Sequence, residues 1–522
     1  MNKVLNCLII LCIGVNHILF GQHLVLTTDS IWFTPTEYGD TTTAVLQITN
    51  PGTEPVLVTS IQLGKAYNDN SFGLLSAPLV FYPGIQQLIV NFHPQNDIYY
   101  RVPLIINTQN AGGDYCILLC GQGKFASPIS QFTENKTGQI LKQSVKNYLI
   151  NHTNLGYNGA RDLMYSKCDN INTYVTCLYT ARKAQFNSRT GANANNFNAE
   201  HVFPQSFFNS NEPMRSDVHH LYSTDETANN IRANYPYGVV SGSPSWQNNG
   251  SKYLNGIFEP RDSAKGKVAR SLLYFVWRYQ DYNSFVAQQE NLLLAWHYQF
   301  LPDPIDLRRD SIIAHHQGKS NVLVRYPYIL NRINSLTGQA DFPASTNFSW
   351  SSDTIYTKSS HTEVYLAIWN QGHYTLHVDT VWSDTPLLSQ ISIDQSNISA
   401  FSASRCTLSL PQNLASGLYS INAKSGAIVK KVYINHSNTL NILDIHFSPD
   451  IEIYPNPAME VLTIKSSLQL SDLNIYTLTG IKVLSQPFSE QVNLQKLSSG
   501  TYILTITDNF GNQFAKKISV VR

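Results

Sequence analysis

Residues 198–206 read "NAEHVFPQS" and residues 216–238 read "SDVHHLYSTDETANNIRANYPYG". Neighbouring side chains of a regular strand point to opposite faces, so Glu200 and His201 can serve one site only where a strand ends or bends. Pro204, three residues on, predicts such an ending. A histidine titrates near neutral pH and can take a proton there; a glutamate is a hard oxygen ligand for Mg²⁺ or Ca²⁺. Taken alone, a Glu-His pair is ordinarily an exposed acid beside a hydrogen-bonded imidazole. The second stretch changes that balance. Asp225 is placed to cap a helix. Asn229 and Asn230, both poor helix formers, follow it, and then comes Arg232. A carboxamide oxygen completes a Mg²⁺ site without adding charge, and a guanidinium suits a phosphate or a structural carboxylate. A base, a hard-cation site and a phosphate clamp are the components of metal-assisted phosphodiester hydrolysis.

Outward from this centre, the 522 residues are too many for one core, and three or four domains are expected. Between about 128 and 340, "QILKQSVKNYLI", "KVARSLLYFVWRYQ" and "SFVAQQENLLLAWHYQF" have helical spacing and enclose the polar stretches, which predicts a mixed α+β domain. On either side the text alternates with period two. The segment 22–125 ("AVLQITNPGTEPVLVTSIQL", "QLIVNFHP", "YCILLCGQG") and the segment 341–445 ("TEVYLAIWNQG", "GLYSINAKSGAIVKKVYI") both predict β-sandwiches. Residues 450–522 form a further short β unit. The fold class expected is therefore multidomain: an α+β core flanked by β-sandwiches.

At the N-terminus, Lys3, an apolar run and the small Gly21 predict a secretory signal peptide over 1–21. No later segment has the length of a transmembrane helix, so the mature chain is expected to lack a membrane span and to work outside the cytoplasm. Five of the seven cysteines lie beyond that peptide. Cys168 and Cys177 are the expected disulfide; Cys116 and Cys120, four apart in a strand-like run, are expected as buried thiols.

The net charge of +1 hides an asymmetry. Residues 128–340 hold 21 Lys+Arg against 15 Asp+Glu, or +6, and the remainder holds 15 against 20, or −5. A basic middle segment favours a polyanionic partner. Arg261, Lys265, Lys267 and Arg270 fall at spacings that place several on one helical face, where they could track a nucleic-acid backbone; a solvated face is the competing reading. His219 and His220 lack the Cys-x-x-Cys company of a zinc site, and Asp217 with His219 is expected to brace the loop beneath the metal. His315 and His316 are read as surface or core histidines.

The ordered motifs "GYNGARDLMY", "TCLYTARKA", "FNAEHVFPQSFFNSNEPMRSDVHHLYSTDETANNIRANYPYGVV", "LLLAWHYQFLPDPIDLRRDSII" and "HHQGKSNVLVRYP" resemble the endonuclease I family of secreted bacterial nucleases, of the His-Me finger (ββα-metal) class. The resemblance covers about 140–332. It implies that His201 is the general base, that Glu200 and Asn229 are the metal ligands, and that Arg232 orders the helix or helps hold phosphate. The cofactor implied is Mg²⁺, or Ca²⁺ or Mn²⁺ in its place. The substrate implied is DNA, with RNA also taken by some members, cleaved with little sequence preference to leave 5′-phosphate ends. One departure is visible. The family closes on "QGNRNPFID-P", whereas here Gln317, Gly318, Asn321 and Pro327 persist without the Asn-Pro-Phe core, which implies altered packing or a changed substrate wall.

The terminal unit, with Tyr454-Pro455-Asn456-Pro457-Ala458, Gly480, Leu497, Gly500, Tyr502, Lys516 and Lys517, resembles the C-terminal sorting domain of the type IX secretion system. It implies that machinery as a partner, a Bacteroidetes-type bacterium, a secreted or cell-surface location and removal of the unit on export. "ITNPGTEPVLV", "FYPG" and "VNFHP" resemble the immunoglobulin-like modules of the abnormal-spindle/hydin type. Two readings of function result: a secreted metal-dependent endonuclease, or a cell-surface adhesin whose nuclease scaffold is inactive. Intact Glu200, His201 and Asn229 favour the first.

Overall fold

The computed structural model describes residues 23–75, 77–438, 451–466, 470–477, 482–508 and 513–521. The expected signal peptide over 1–21 lies outside them. The chain is multidomain, with many β-sheets and a helical middle segment.

In the first unit, a four-stranded sheet (Val25–Leu26, Thr42–Asn50, Gly84–Phe92, Phe72–Leu74) packs against a sheet centred on Tyr99–Thr108 and Asp114–Lys124. Period-two alternation explains the arrangement. Leu46, Ile48, Leu88 and Val90 from one sheet meet Val58, Leu104, Ile106 and Ile117 from the other in one core. A second pair of four-stranded sheets, running from Phe348–Trp350 to Ile428–Ser437, encloses its own core. The last unit pairs a three-stranded with a four-stranded sheet.

The first and third units touch. Asn107 donates to the Ser351 carbonyl and the Ser352 hydroxyl, and Gly113 bridges Tyr365. A Cβ at Gly113 would lie 2.2 Å from the Tyr365 carbonyl oxygen, at a φ of +124° that few other residues adopt, so only glycine fits.

The middle segment is built on helices, chief among them Gly138–Leu149, Asp262–Arg278, Glu290–Gln299 and Pro304–Gln317. Their core draws on residues from Phe125 to Ala340. The stretch read as one helix over 284–300 is two, Ser284–Ala287 and Glu290–Gln299. The break frees Gln289 to accept the Tyr237 backbone N–H and to donate to the Phe285 carbonyl.

The expected disulfide does not form. Cys168 and Cys177 are both free and buried, and the Cys177 sulfur accepts from the backbone N–H groups of Thr180 and Asp225. Cys116 and Cys120 are buried free thiols, as expected.

Candidate active site

The strand Phe197–His201 ends at His201, ahead of Pro204, and pairs antiparallel with Leu221–Asp225. Asp225 closes the second strand. It caps the helix Glu226–Arg232 by accepting from the backbone N–H groups of Thr227 and Ala228. Strand alternation puts Asn198 and Glu200 on one face. The helix returns across that face: Asn229 Nδ2 donates to Asn198 Oδ1 at 2.8 Å. Arg232, one turn further, holds its Nε 3.3 Å from Glu200 Oε1. Two strands and a helix thus bring Glu200, Asn229 and Arg232 together.

Glu200 is 2% exposed. Its Oε1 accepts from the hydroxyls of Tyr179 at 2.7 Å and Tyr237 at 3.3 Å, which also bond each other. Burial pushes its carboxyl above the ordinary value, while Arg232 and the two tyrosines pull it back. Glu200 Oε2 and Asn229 Oδ1 accept no hydrogen bond from the described residues. A carboxylate oxygen and a carboxamide oxygen, each without a donor, are the oxygen types that suit a hard divalent cation keeping its other ligands as water.

His201 stands at the strand end, its ring among Tyr157, Phe208 and His220. Its Nε2 lies 3.1 Å from the Arg215 carbonyl. A carbonyl can only accept, so Nε2 carries the hydrogen and Nδ1 keeps the lone pair. Burial, then His220, with Arg215 and Arg232, push its pKa down to about 3 against the pull of the Arg215 carbonyl. The Arg232 charge therefore bears on both the carboxyl and the imidazole.

Other expected residues sit elsewhere. Arg232 is fully buried, donating to the carbonyls of Val202 at 2.6 Å and Ala233 at 2.9 Å. These contacts brace the strand against the helix. The expected substrate-binding row is not a row of free cations. Lys265 pairs with Glu259 and Asp262, Lys267 with Asp303 and Asp306, and Arg270, 2% exposed, with Asp306. Arg261 Nε donates to the Leu178 carbonyl. Three of the four expected cations thus pair with carboxylates of the fold, and Arg261 holds none among the described residues.

His219 and His220 give their Nε2 atoms to the carbonyls of Lys319 and Met214. Among the described residues no three His, Cys, Asp or Glu converge. Asp217 accepts from the His219 N–H, Tyr274, Tyr279 and Arg278 beneath the site. Burial alone would raise its carboxyl, but Arg278 and the nearby imidazoles bring it below the ordinary range. From the altered closing motif, Gln317 accepts the Val218 N–H and Asn321 caps the short helix Val322–Arg325. Asn198, Tyr179 and Tyr237 were not foreseen. Only Asn198, two residues before Glu200, carried a signal, through strand alternation.

Residues 137–329 match the Endonuclease I family and residues 452–521 match the Secretion system C-terminal sorting domain. The chain is 28% identical over 219 residues to an extracellular ribonuclease of Bacillus subtilis (strain 168), covering 37% of this chain and 74% of that protein. It is 27% identical over 115 residues to an extracellular deoxyribonuclease of Aeromonas hydrophila, covering 21% of this chain and 50% of that one. A solved S-layer protein fragment (SbsC domains 4 and 5) is 21% identical over 17% of this chain and 50% of its own, at a TM-score of 0.15 that supports no fold assignment. The chain thus carries an endonuclease I domain and a secretion-system sorting domain, and is secreted or displayed at the cell surface. Among the described residues no helix is long and apolar enough to cross a membrane.

Proposed function

We propose that the middle domain hydrolyses phosphodiester bonds of DNA, and of RNA by the same chemistry, as a His-Me finger endonuclease with little sequence preference. His201 Nδ1 takes the proton from the attacking water while the Arg215 carbonyl holds the imidazole in the required tautomer. Glu200 Oε2 and Asn229 Oδ1 would hold a divalent cation, Mg²⁺ or in its place Ca²⁺ or Mn²⁺. Such a cation, when bound, stabilises charge on the phosphoryl and leaving 3′ oxygens, so that the product carries a 5′-phosphate. Tyr179, Tyr237 and Arg232 fix the other carboxylate oxygen. The observation that carries the reading is that Glu200 Oε2 and Asn229 Oδ1 accept no hydrogen bond among the described residues, while the strand bearing Glu200 ends at His201 and the helix bearing Asn229 packs back on that strand through Asn198. The extracellular ribonuclease and deoxyribonuclease relatives support a nucleic-acid substrate.

The competing reading is a surface adhesin with an inactive scaffold, which the two sandwiches and the sorting domain would serve equally well. Plasmid DNA incubated with the purified full chain decides between them. Cleavage should require a divalent cation, stop in EDTA, and fall ~10²–10⁴-fold in His201→Ala. Cleavage undiminished by EDTA would remove the metal, and a wild-type chain inert with every cation would leave the adhesin.

A further inference from the structure

We propose that Arg161 and Arg215, held on the ring of Tyr157, form a second anion subsite beside His201, which takes a backbone phosphate neighbouring the scissile one. The identity of the anion rests on the phosphodiesterase reading above; the subsite itself rests on geometry. Arg161 lies on the helix Gly156–Leu163 and Arg215 on the turn Met214–Ser216. Their guanidinium carbons lie 4.3 and 4.2 Å from the Tyr157 ring centroid. That ring in turn stacks 5.6 Å from His201 at an interplanar angle of 27°.

The pairing of these two arginines is what sets them apart. Arg182, Arg189, Arg270, Arg278, Arg309 and Arg325 each hold a carboxylate, and Arg261 and Arg308, which hold none among the described residues, donate to backbone carbonyls instead. Arg161 and Arg215 hold none within 4 Å among the described residues, although carboxylates are at hand. Asp162 turns to Arg189, and Glu212 takes the Ser216 hydroxyl. Arg161 donates only to Asn158 Oδ1, and the Nε atoms of both arginines are buried without a partner. Two like charges on one ring, with donors unspent, are a repulsion that a bound anion relieves. The planar guanidinium fork matches phosphate oxygens in pairs. Arg215 thereby joins two tasks, its carbonyl orienting the base and its side chain holding the substrate strand.

The test measures binding in the full chain carrying His201→Ala, with a labelled DNA duplex across a range of salt. Arg161→Gln and Arg215→Gln should each weaken binding and lower the slope of log affinity against log salt by about 1, while Arg→Lys at either position keeps the slope. Unchanged slopes in both Gln variants overturn the subsite. Should the Gln variants unfold, phenylglyoxal labelling of the unaltered chain decides: the duplex should shield both arginines, and equal labelling with and without it overturns the proposal. A chain that cleaves plasmid with unchanged slopes loses only the subsite. A chain that never cleaves yet shows the arginine-dependent slope loses only the hydrolase reading.

Discussion

At Glu200 a carboxylate is buried against its own electrostatic preference, and three neighbours make that tolerable. Arg232 supplies the charge, and Tyr179 and Tyr237 supply hydroxyl donors to a single oxygen, leaving the other free. Groups that orient a metal ligand typically tune affinity 10–100-fold. Tyr179→Phe keeps the ring and removes the 2.7 Å hydrogen bond. The expected outcome is roughly a 10–100-fold rise in the Mg²⁺ concentration for half-maximal cleavage, read by metal titration; an unmoved midpoint would reduce Tyr179 to packing. Glu200, His201 and Asn229 were named from the sequence because an adjacent acid-imidazole pair and two asparagines after a capping aspartate are unusual in themselves. Tyr179 and Tyr237 were not, because a tyrosine in the text reads as core or sheet packing, and only the fold brings their hydroxyls to Glu200.

The helix Glu226–Arg232 is only seven residues long, too short to persist by propensity alone. It exists because Asp225 caps its start, Arg182 steadies that cap at 2.5 Å, and Arg232 anchors its end. Asp225→Ala should cost about 1–2 kcal/mol in urea unfolding, and should lower cleavage as well, because Asn229 rides on this helix. A stability loss with cleavage intact would separate the cap from the site. The long helix Asp262–Arg278 teaches the opposite lesson about reading elements. Its basic residues were placed correctly on a helix, yet Lys267 and Arg270 meet Asp306, about forty positions away. A helical wheel shows which residues share a face and says nothing of the carboxylates brought to that face by another helix.

Across the whole molecule, the first sandwich and the nuclease domain are joined by an ion pair with no exposure. Arg332 donates to Asp97 at 2.9 Å and to the Thr133 carbonyl. Burial lowers the Arg332 pKa and raises that of Asp97, so each depends on the other. Arg332→Met should cost about 3–5 kcal/mol, and the double variant with Asp97→Asn should recover part of it. Chemical denaturation of the full chain measures both, and a loss near zero would mean that the two units are merely adjacent. His297, buried and bonded to the Pro327 carbonyl, is pushed down to about 4 by burial. Its unfolded counterpart takes a proton near 6.5, so its contribution is present above that pH and is lost as pH falls toward 4. The stability gap between the parent chain and His297→Gln should therefore narrow by up to about 1.4 kcal/mol per pH unit through that window. A gap that is constant with pH would contradict it.

The helical middle segment between β-rich flanks, the strand that stops before Pro204, the cap at Asp225, and the export unit at the C-terminus were all determined by the sequence alone. Capping, alternation and motif spacing act over a few residues, and a few residues are visible in a line of text. Which charges are spent and which are left over was decided by the tertiary structure. Lys265, Lys267 and Arg270 have carboxylates, and Arg161 and Arg215 have none among the described residues; Cys168 and Cys177 stay free, the latter accepting from backbone N–H groups. A charge or a thiol is satisfied by whatever the fold brings within about 4 Å, and that neighbour is set by packing over the whole chain.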